Sequence, residues 1–569
     1  MSSVASKITT SSTAEYFSKN LQQVGFSSGT KAVLTTLKEA VDNSLDACED
    51  AGILPEISVE IEKLGPGTQK KMDQIRIKVT DNGPGIRNED VVKVYGEYLA
   101  SSKFGRGRCS RGQQGIGISA ATTWAQLTTA KGVNVCTKVK GKKQALQGSV
   151  EVDIKKNIGV IKNKKMISWD RPHGTSVEFF IDGRLQIHGE GGVLTYLSGT
   201  SLVNPHLTLT YKLNQEDAIH MDRVSEELIG IPAAVPPHPH TMKLGEFMAH
   251  STLFGKSRLD TYLKRGFSRI TDQTLKDLTK KGTGVPKSFL AKSISSLKNE
   301  EMKNIYKGLQ DLELKAPSTR SVLRVGEEGL AKSIERLGEI DFFSVVSRKP
   351  RICDAKPVVV EVAIARLINS KSDADDPVTI LRFANRVPLQ FDKGGCALAK
   401  AIESVNWKSY GLNQPKRSLP QGPYIIAISV VSPFIKFKNA SKETVDSSEE
   451  LVDELRLTLM QAGQRLSRFI KRELRANDLE KKKQHIEKFA PILIETIGRI
   501  TSAPKTRLKK AETGLMKILG READDAEGKL KDAEAKKAQL LEKRQQQTDS
   551  ASKKTSKKKE LDLSAEASA

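Results

Sequence analysis

The chain has 569 residues, with 92 Lys and Arg against 68 Asp and Glu, giving a formal net charge of +24. Its length accommodates roughly three or four domains with cores of their own, and its composition is that of an ordinary soluble globular protein, which excludes fibrous and low-complexity classes for most of it. The positive excess implies an acidic partner, nucleic acid first, unless a basic tail alone biases the count.

Five scattered cysteines (Cys48, Cys109, Cys136, Cys353, Cys396) form no CxxC pair and have no His at ligand spacing. They make neither a disulfide framework nor a zinc site, and a reducing, intracellular compartment is expected. The start, MSSVASKITTSS, lacks the apolar core of a signal peptide. The longest apolar run, Tyr424 to Ile435, is far too short for a membrane span and reads as a buried strand. In that compartment the glycosylation triplet at Asn439 has no meaning.

In chain order, residues 1–12 are Ser/Thr-rich. Thr13 to Phe26 reads as a short amphipathic helix ending near Gly25. The next helical pattern, about 29 to 50, contains KEAVDNSLDA (Lys38 to Ala47). Glu39, Asn43 and Asp46 fall at i, i+4 and i+7 on one face, while Leu34, Leu37, Val41, Leu45 and Cys48 fall on the other and pack on a core. Strands are expected at ISVEIEKL, QIRIKVT, AQLTTAKG, VNVCTKVK, GSVEVDIKK and SVEFFID, an α+β pattern of helices on a largely antiparallel sheet.

From about 232 to 310 the sequence is helix-rich and basic, and starts after the Pro/His stretch IPAAVPPHPH. Its Lys and Arg either touch DNA phosphates or form a solvated face. Ala316 to Leu330 is a linker leading to a helix. Strands follow at KPVVVEVAIARL, TILRFANRVPL and YIIAISVVS, with a helix at CALAKAIES. The Asp-x-Asp in KSDADDP lies in a polar turn with no strand leading in, which argues against a nuclease metal pair. From Ser448 to about Leu479 a single long helix is expected, with further helical sequence to about Gly520. The Lys-, Glu-, Gln- and Ser-rich remainder cannot bury a core.

One set of motifs carries chemistry through its order. The helix with Glu39 and Asn43 is followed by a strand ending in DNGPGI (Asp81, Gly83, Gly85), then a Gly-rich loop, Ser101 to Ser119, then Gly174-Thr175 on a strand. Carboxylate and amide on a helix, an acid in a Gly turn and a Gly-rich lid opening a helix make a nucleotide site. The glycines read GxxGxG (Gly112, Gly115, Gly117), not the dinucleotide pattern, and GTGVPKS at Gly282 lacks the Gly before Lys of a P-loop.

These residues resemble the ATP-binding fold shared by gyrase, the ninety-kilodalton heat-shock chaperone, sensor histidine kinases and mismatch-repair ATPases. Within that group, RGQQGIGIS, LRFANRVPLQFD (Leu381 to Asp392) and FKNASKE (Phe437 to Glu443) resemble the B subunits of type IIB topoisomerases, topoisomerase VI, over about residues 10 to 475. The resemblance implies a multidomain α+β chain. Its parts are an N-terminal strap (1–26), an ATPase α/β sandwich (27–231) and a helix–two-turns–helix insertion (232–310), at whose start Thr241 departs from the family's Pro-His-Gly. An α/β transducer with a long helix (311–476), a helical extension (477–521) and a charged tail (522–569) complete it. The strap either exchanges between protomers on ATP binding or docks on its own domain.

For ATP hydrolysis Glu39 is the expected general base, Asn43 offers a neutral oxygen to Mg²⁺, and Asp81 accepts from the adenine amino group with Gly83 and Gly85 letting backbone approach the ring. Ser102 and Lys103 open the lid, and Gly112, Gln113, Gln114, Gly115, Ile116, Gly117, Ile118 and Ser119 bring N–H groups and a helix N-terminus to the phosphates. Thr175 supports the adenine-side water network. By resemblance Lys442 reaches the γ-phosphate. The implied function is an ATP-driven dimer clamp passing one duplex through a break made by a separate A subunit, in an A2B2 heterotetramer with double-stranded DNA, no membrane, and a cytoplasmic, nucleoid-associated location. The alternative is a mismatch-repair-like or chaperone-like clamp. A gyrase-like enzyme would need an acidic cleavage domain, which is not found, and no phospho-acceptor His helix precedes the site as in a sensor kinase.

Overall fold

The computed structural model describes residues 11–101, 109–112, 114–230, 234–280, 282–368, 375–416, 418–515 and 517. Its first part comprises α1 (Thr13–Lys19), α2 (Gly29–Asp50), β1 (Glu56–Pro66), β2 (Asp73–Asp81), α3 (Val91–Gly96) and α4 (Gly117–Thr129). It continues through β3 (Val133–Lys138), β4 (Ala145–Asp153), β5 (Ile158–Ile167), β6 (Gly174–Gly183), α5 (Val193–Val203), β7 (Thr208–Leu213) and β8 (Ile219–Met221). The eight strands form one sheet in the order β5-β4-β3-β6-β2-β1-β7-β8, antiparallel except for β1 with β7. In β1, β2 and β6 buried residues alternate with half-exposed ones, as expected where only one face is covered. The covering layer includes α2 and α4, and Leu37, Val41 and Leu45 of α2 are completely buried.

Two expected strands are otherwise. AQLTTAKG forms the end of α4 and its exit turn, not a strand. Threonine makes the segment look β-like, but Thr122, Thr123, Thr128 and Thr129 each donate a hydroxyl to the carbonyl four residues back, which satisfies them within a helix whose Ala120, Ala121 and Ala125 are buried. TILRFANRVPL is a hairpin, β12 (Thr379–Ala384) and β13 (Val387–Leu389), because Asn385 and Arg386 both take positive φ and close a two-residue turn.

The helices α6 (Leu244–Thr252), α7 (Leu259–Gly266), α8 (Asp272–Leu278) and α9 (Asn299–Asp311) enclose a separate core, in which the rings of Phe247, Tyr262 and Phe267 pack on one another. VPKSFLAKSI contributes only two short 3₁₀ turns to it.

Beyond lie α10 (Gly326–Ile334), β9 (Ile340–Ser347), β10 (Arg351–Cys353), β11 (Lys356–Leu367), α11 (Ala397–Ser404), β14 (Tyr424–Val431) and α12 (Glu449–Thr501). With β12 and β13 these strands make a second sheet ordered β10-β11-β14-β12-β13, β9 also pairing with β11. The Tyr424–Val431 run is buried along its whole length, and among the described residues no helix is long and apolar enough to cross a membrane. Leu202 and Val203 of α5 share a cluster with Leu330, Ile334 and Phe383, so the two sheets are joined through apolar contact. All five cysteines are free thiols.

Among the described residues one compact unit falls within 11–407 and 412–462, and a second within 408–411 and 463–517. Leu455, Leu459 and Ala462 of α12 are completely buried in the first. In the second, the Tyr410 ring lies against Gly463 and Ile470 against Gly411, while Phe489, Ile492, Leu493, Ile497 and Ile500 are exposed.

Because the four-helix insertion has its own core, truncation there is expected to act locally. Leu263→Ala, at a fully buried position, should cost about 2–5 kcal/mol in that core. Hydrogen exchange should show faster exchange in α7 and α9 with unchanged protection in α2.

Candidate functional site

Helix α2 starts at Ser28, whose hydroxyl accepts from the Lys31 N–H, and runs 22 residues under the sheet. Its half-buried Glu39 and Asn43, one turn apart, line a cleft. Gly112, Gln114, Gly115, Ile116, Gly117 and Ile118 line the same cleft from the opposite side. Lys442 and Ala440 enter it from a loop of the second sheet, and Val24 from the N-terminal segment. Gly117, the first residue of α4, meets Glu39 so closely that an added Cβ would lie 2.0 Å from the Glu39 Oε2. A larger residue there would push the Glu39 carboxylate away from the start of α4.

Ser119 lies just behind the cleft, its hydroxyl donating to the Glu97 carbonyl at 2.8 Å. Ser102, Lys103 and Gln113 fall outside the described residues. The N-terminal helix α1 packs on its own chain here: Phe17 stacks on Tyr98 with ring centroids 5.2 Å apart, and the Ser12 hydroxyl donates to the Ile154 carbonyl.

Asp81, Gly83, Gly85 and Thr175 form a second cluster tied to α2 one residue past Asn43. The Asp81 Oδ2 accepts from the Ser44 hydroxyl at 2.8 Å; its Oδ1 accepts from the N–H groups of Gly83 (2.9 Å) and Thr175 (3.1 Å). Burial pushes the Asp81 carboxyl up, and these three donors oppose that shift. Thr175 sits opposite Asp81 in the β2–β6 ladder, and its hydroxyl lies 3.0 Å from that of Thr137. At Gly85, with φ of 76°, a Cβ would strike the Lys138 carbonyl at 2.2 Å, so the turn after Asp81 can pack on β3 only with glycine.

Lys442 donates from Nζ to the Arg111 carbonyl at 2.9 Å. Desolvation lowers its pKa, with Glu39, Asp42 and Asp46 pulling the other way.

The sequence groups Asp46 with Glu39 and Asn43, but the structure gives it another task. Asp42, Asp46 and Glu49, at i, i+4 and i+7, make a second, buried acidic stripe on α2. Arg111 donates from Nη1 to Asp46 (2.8 Å) and Glu49 (3.0 Å), and from Nη2 to Glu49 (2.8 Å) and Asn204. Arg386, from the β12–β13 turn, grips the same Glu49 through Nη1 (2.8 Å) and Nη2 (2.7 Å). His206 Nε2 lies 2.9 Å from Glu49 Oε1, and burial lowers its pKa while Glu49 opposes the shift. Burial would raise Glu49, but Arg111 and Arg386 overcome this and hold it well below the usual carboxylate range. Sequence spacing carries no sign of this group, because a buried stripe and a solvated stripe read alike. The available signal was in-register acids beside Cys48, a position read as core.

Two family models match the chain. "Histidine kinase-, DNA gyrase B-, and HSP90-like ATPase" matches residues 30–184, and "Topoisomerase VI B subunit, transducer" matches residues 317–482. The B subunit of type 2 DNA topoisomerase 6 from Methanococcoides burtonii is 36% identical over 493 residues, covering 86% of this chain and 76% of that protein. Its Archaeoglobus fulgidus counterpart is 35% identical, covering 89% and 82%. Among solved structures, the ATPase region of Saccharomyces cerevisiae topoisomerase II aligns with 82% of this chain and 99% of that one, at 11% identity and a TM-score of 0.39.

Asp42 supplies a pH-dependent test. Burial raises its carboxyl from 3.8 to about 6, with Glu39 and Asp46 adding and Lys38 and Arg111 opposing, while Tyr196 donates to it at 3.1 Å. The folded state then binds the proton more tightly than the unfolded one, so this group lowers stability as pH rises from about 4 to about 6. Asp42→Asn keeps the acceptor for Tyr196 and removes the charge. Thermal melts should show the variant more stable than the parent at pH 7.5, by about 2–3 kcal/mol, with the difference closing towards pH 4.

Proposed function

Since the chain belongs to the family of type 2 DNA topoisomerase 6 B subunits, we propose that it is an ATP-hydrolysing clamp that captures a DNA duplex and drives its passage through a break made by a separate A subunit. The observation supporting this most directly is the single cleft shared by Glu39 and Asn43 of α2, the glycine-rich start of α4 and Lys442 from the second sheet. A phosphate chain laid in that cleft would meet the N–H groups around Gly115 to Gly117, where the helix N-terminus favours negative charge. Glu39, against the same N-terminus, orients the attacking water and takes its proton.

Asn43 offers its amide oxygen to Mg²⁺. Among the described residues no group of three or more His, Cys, Asp or Glu could hold a metal, so the donor set suits an ion that takes its remaining ligands from phosphate oxygens and water. When bound, that ion neutralises phosphate charge. Lys442 has three donors, of which Arg111 takes one, leaving Nζ able to serve the γ-phosphate as well. Asp81, with about four lone-pair sites and three occupied, keeps one on Oδ2 for the adenine amino group. The remaining residues of the loop, Ser102, Lys103 and Gln113 to Ser119, are assigned to covering and binding the phosphates, and Thr175 to the adenine side.

We divide the chain as 1–26 strap, 27–231 ATPase, 232–310 insertion, 311–476 transducer, 477–521 extension and 522–569 tail. Assembly is A2B2, with the second copy recruited by ATP and the exposed apolar row Phe489 to Ile500 docking the A subunit. The location is cytoplasmic, on the nucleoid. A chaperone-like or mismatch-repair-like clamp is not favoured, because the second matched family is a topoisomerase transducer.

Two variants separate the roles. Glu39→Ala should bind a non-hydrolysable ATP analogue at parental affinity and lose turnover by about 10²-fold or more, since a base acts in the transition state. Asp81→Asn should instead weaken analogue binding by about 1–3 kcal/mol. Parental turnover in the first, or parental affinity in the second, removes the corresponding assignment.

A further inference from the structure

The loop arm 109–112 is held by two parts of the fold at once. On one side Arg111 reaches Asp46 and Glu49 of α2, and the Gly112 N–H donates to Asp46 at 3.3 Å. On the other, Cys109 packs with Val322, Leu323, Val359 and Val431 beside the second sheet, and the Arg111 carbonyl accepts from Lys442. Glu49 is the shared element: both of its oxygens bind Arg111 of the arm and both bind Arg386 of the β12–β13 turn.

We propose that Glu49 and Arg386 are positioning residues for ATP hydrolysis: through Arg111 they fix Gly112 and Lys442 at the cleft only when the second sheet is seated on α2. The proposal rests on the ATPase reading of the cleft. Neither residue lines the cleft; each acts through the main chain of the arm, whose Gly112 lines the cleft and whose Arg111 carbonyl orients Lys442. Seating of the second sheet is supported nearby. Lys31 of α2 pairs with Glu443 at 2.9 Å and lies 4.6 Å over the Phe391 ring, and the Gly191 N–H donates to Gln390 at 2.7 Å. Arg382, itself buried, donates to the carbonyls of Leu389, Gln390 and Phe391 and so shapes the segment that makes those contacts.

Charge balance gives a test that separates positioning from mere stability. Within the directly bonded set two guanidiniums, Arg111 and Arg386, stand against two carboxylates, Asp46 and Glu49, with Asp42 of the same stripe beside them. Arg386→Gln or Glu49→Gln alone leaves one uncompensated buried charge and should lower the melting temperature. Glu49→Gln/Arg386→Gln restores balance and should recover most of that stability, while the link between arm and second sheet stays broken. In the full chain, Arg386→Gln and the double variant should both lose turnover by tens- to about a hundredfold, with KM for ATP within about threefold of the parent. Binding of a non-hydrolysable ATP analogue should persist. If kcat recovers together with the melting temperature in the double variant, or if Arg386→Gln turns over at the parental rate, the positioning role is wrong. If Arg386→Gln fails to fold, the double variant alone decides. A parent that neither binds nor hydrolyses ATP would overturn the ATPase reading instead, an outcome distinct from either of those.

Discussion

Glu49 is buried, and a carboxylate that deep is tolerated only with its partners in place. Its partners come from three places: Arg111 from the loop arm, His206 ahead of β7, and Arg386 from the second sheet. Desolvating each ion costs several kcal/mol, so no two of these parts can assemble comfortably without the third. This constraint explains why the arm 109–112 is anchored on both sides. It also explains the two positive-φ residues Asn385 and Arg386, since a tight turn is what projects one guanidinium from a sheet edge.

One helix thereby does two jobs through two neighbouring stripes. Glu39 and Asn43 face the cleft, and Asp46 and Glu49 face the arm and the second sheet. Ser44, next to Asn43, joins a third neighbour, Asp81. The Asp81 cluster is built from backbone and ladder contacts that do not involve the glycine-rich segment, whereas the cleft is lined by that segment, α4 and Lys442 together. Of the two clusters, only the one around Glu39 and Lys442 is tied to the second sheet.

Much of this was legible in the sequence. The amphipathic register of α2, the alternation in β1, β2 and β6, and the glycine pattern before α4 depend on local spacing, and local spacing is what periodicity reads. The Thr-rich end of α4 misled because hydroxyl back-bonding inside a helix leaves no mark on hydrophobic pattern. TILRFANRVPL misled because Asn-Arg is not a usual turn pair; tertiary contact, Arg386 on Glu49 and Asn385 accepting from Ser432 N–H, holds it there. The buried charge cluster was invisible for the same reason: Arg111, Arg386 and His206 are far apart in the chain, and nothing local distinguishes them from surface charges. The cleft residues emerged only because their order resembles a known ATP-binding fold.

The most direct measurement is hydrogen exchange of the full chain with and without a non-hydrolysable ATP analogue. If the phosphate end is tied to the second sheet through Glu49, amides of 382–392 and 437–445 should gain protection together with those of 109–118. Protection confined to residues 27–230, with 382–392 and 437–445 unchanged, would contradict the account.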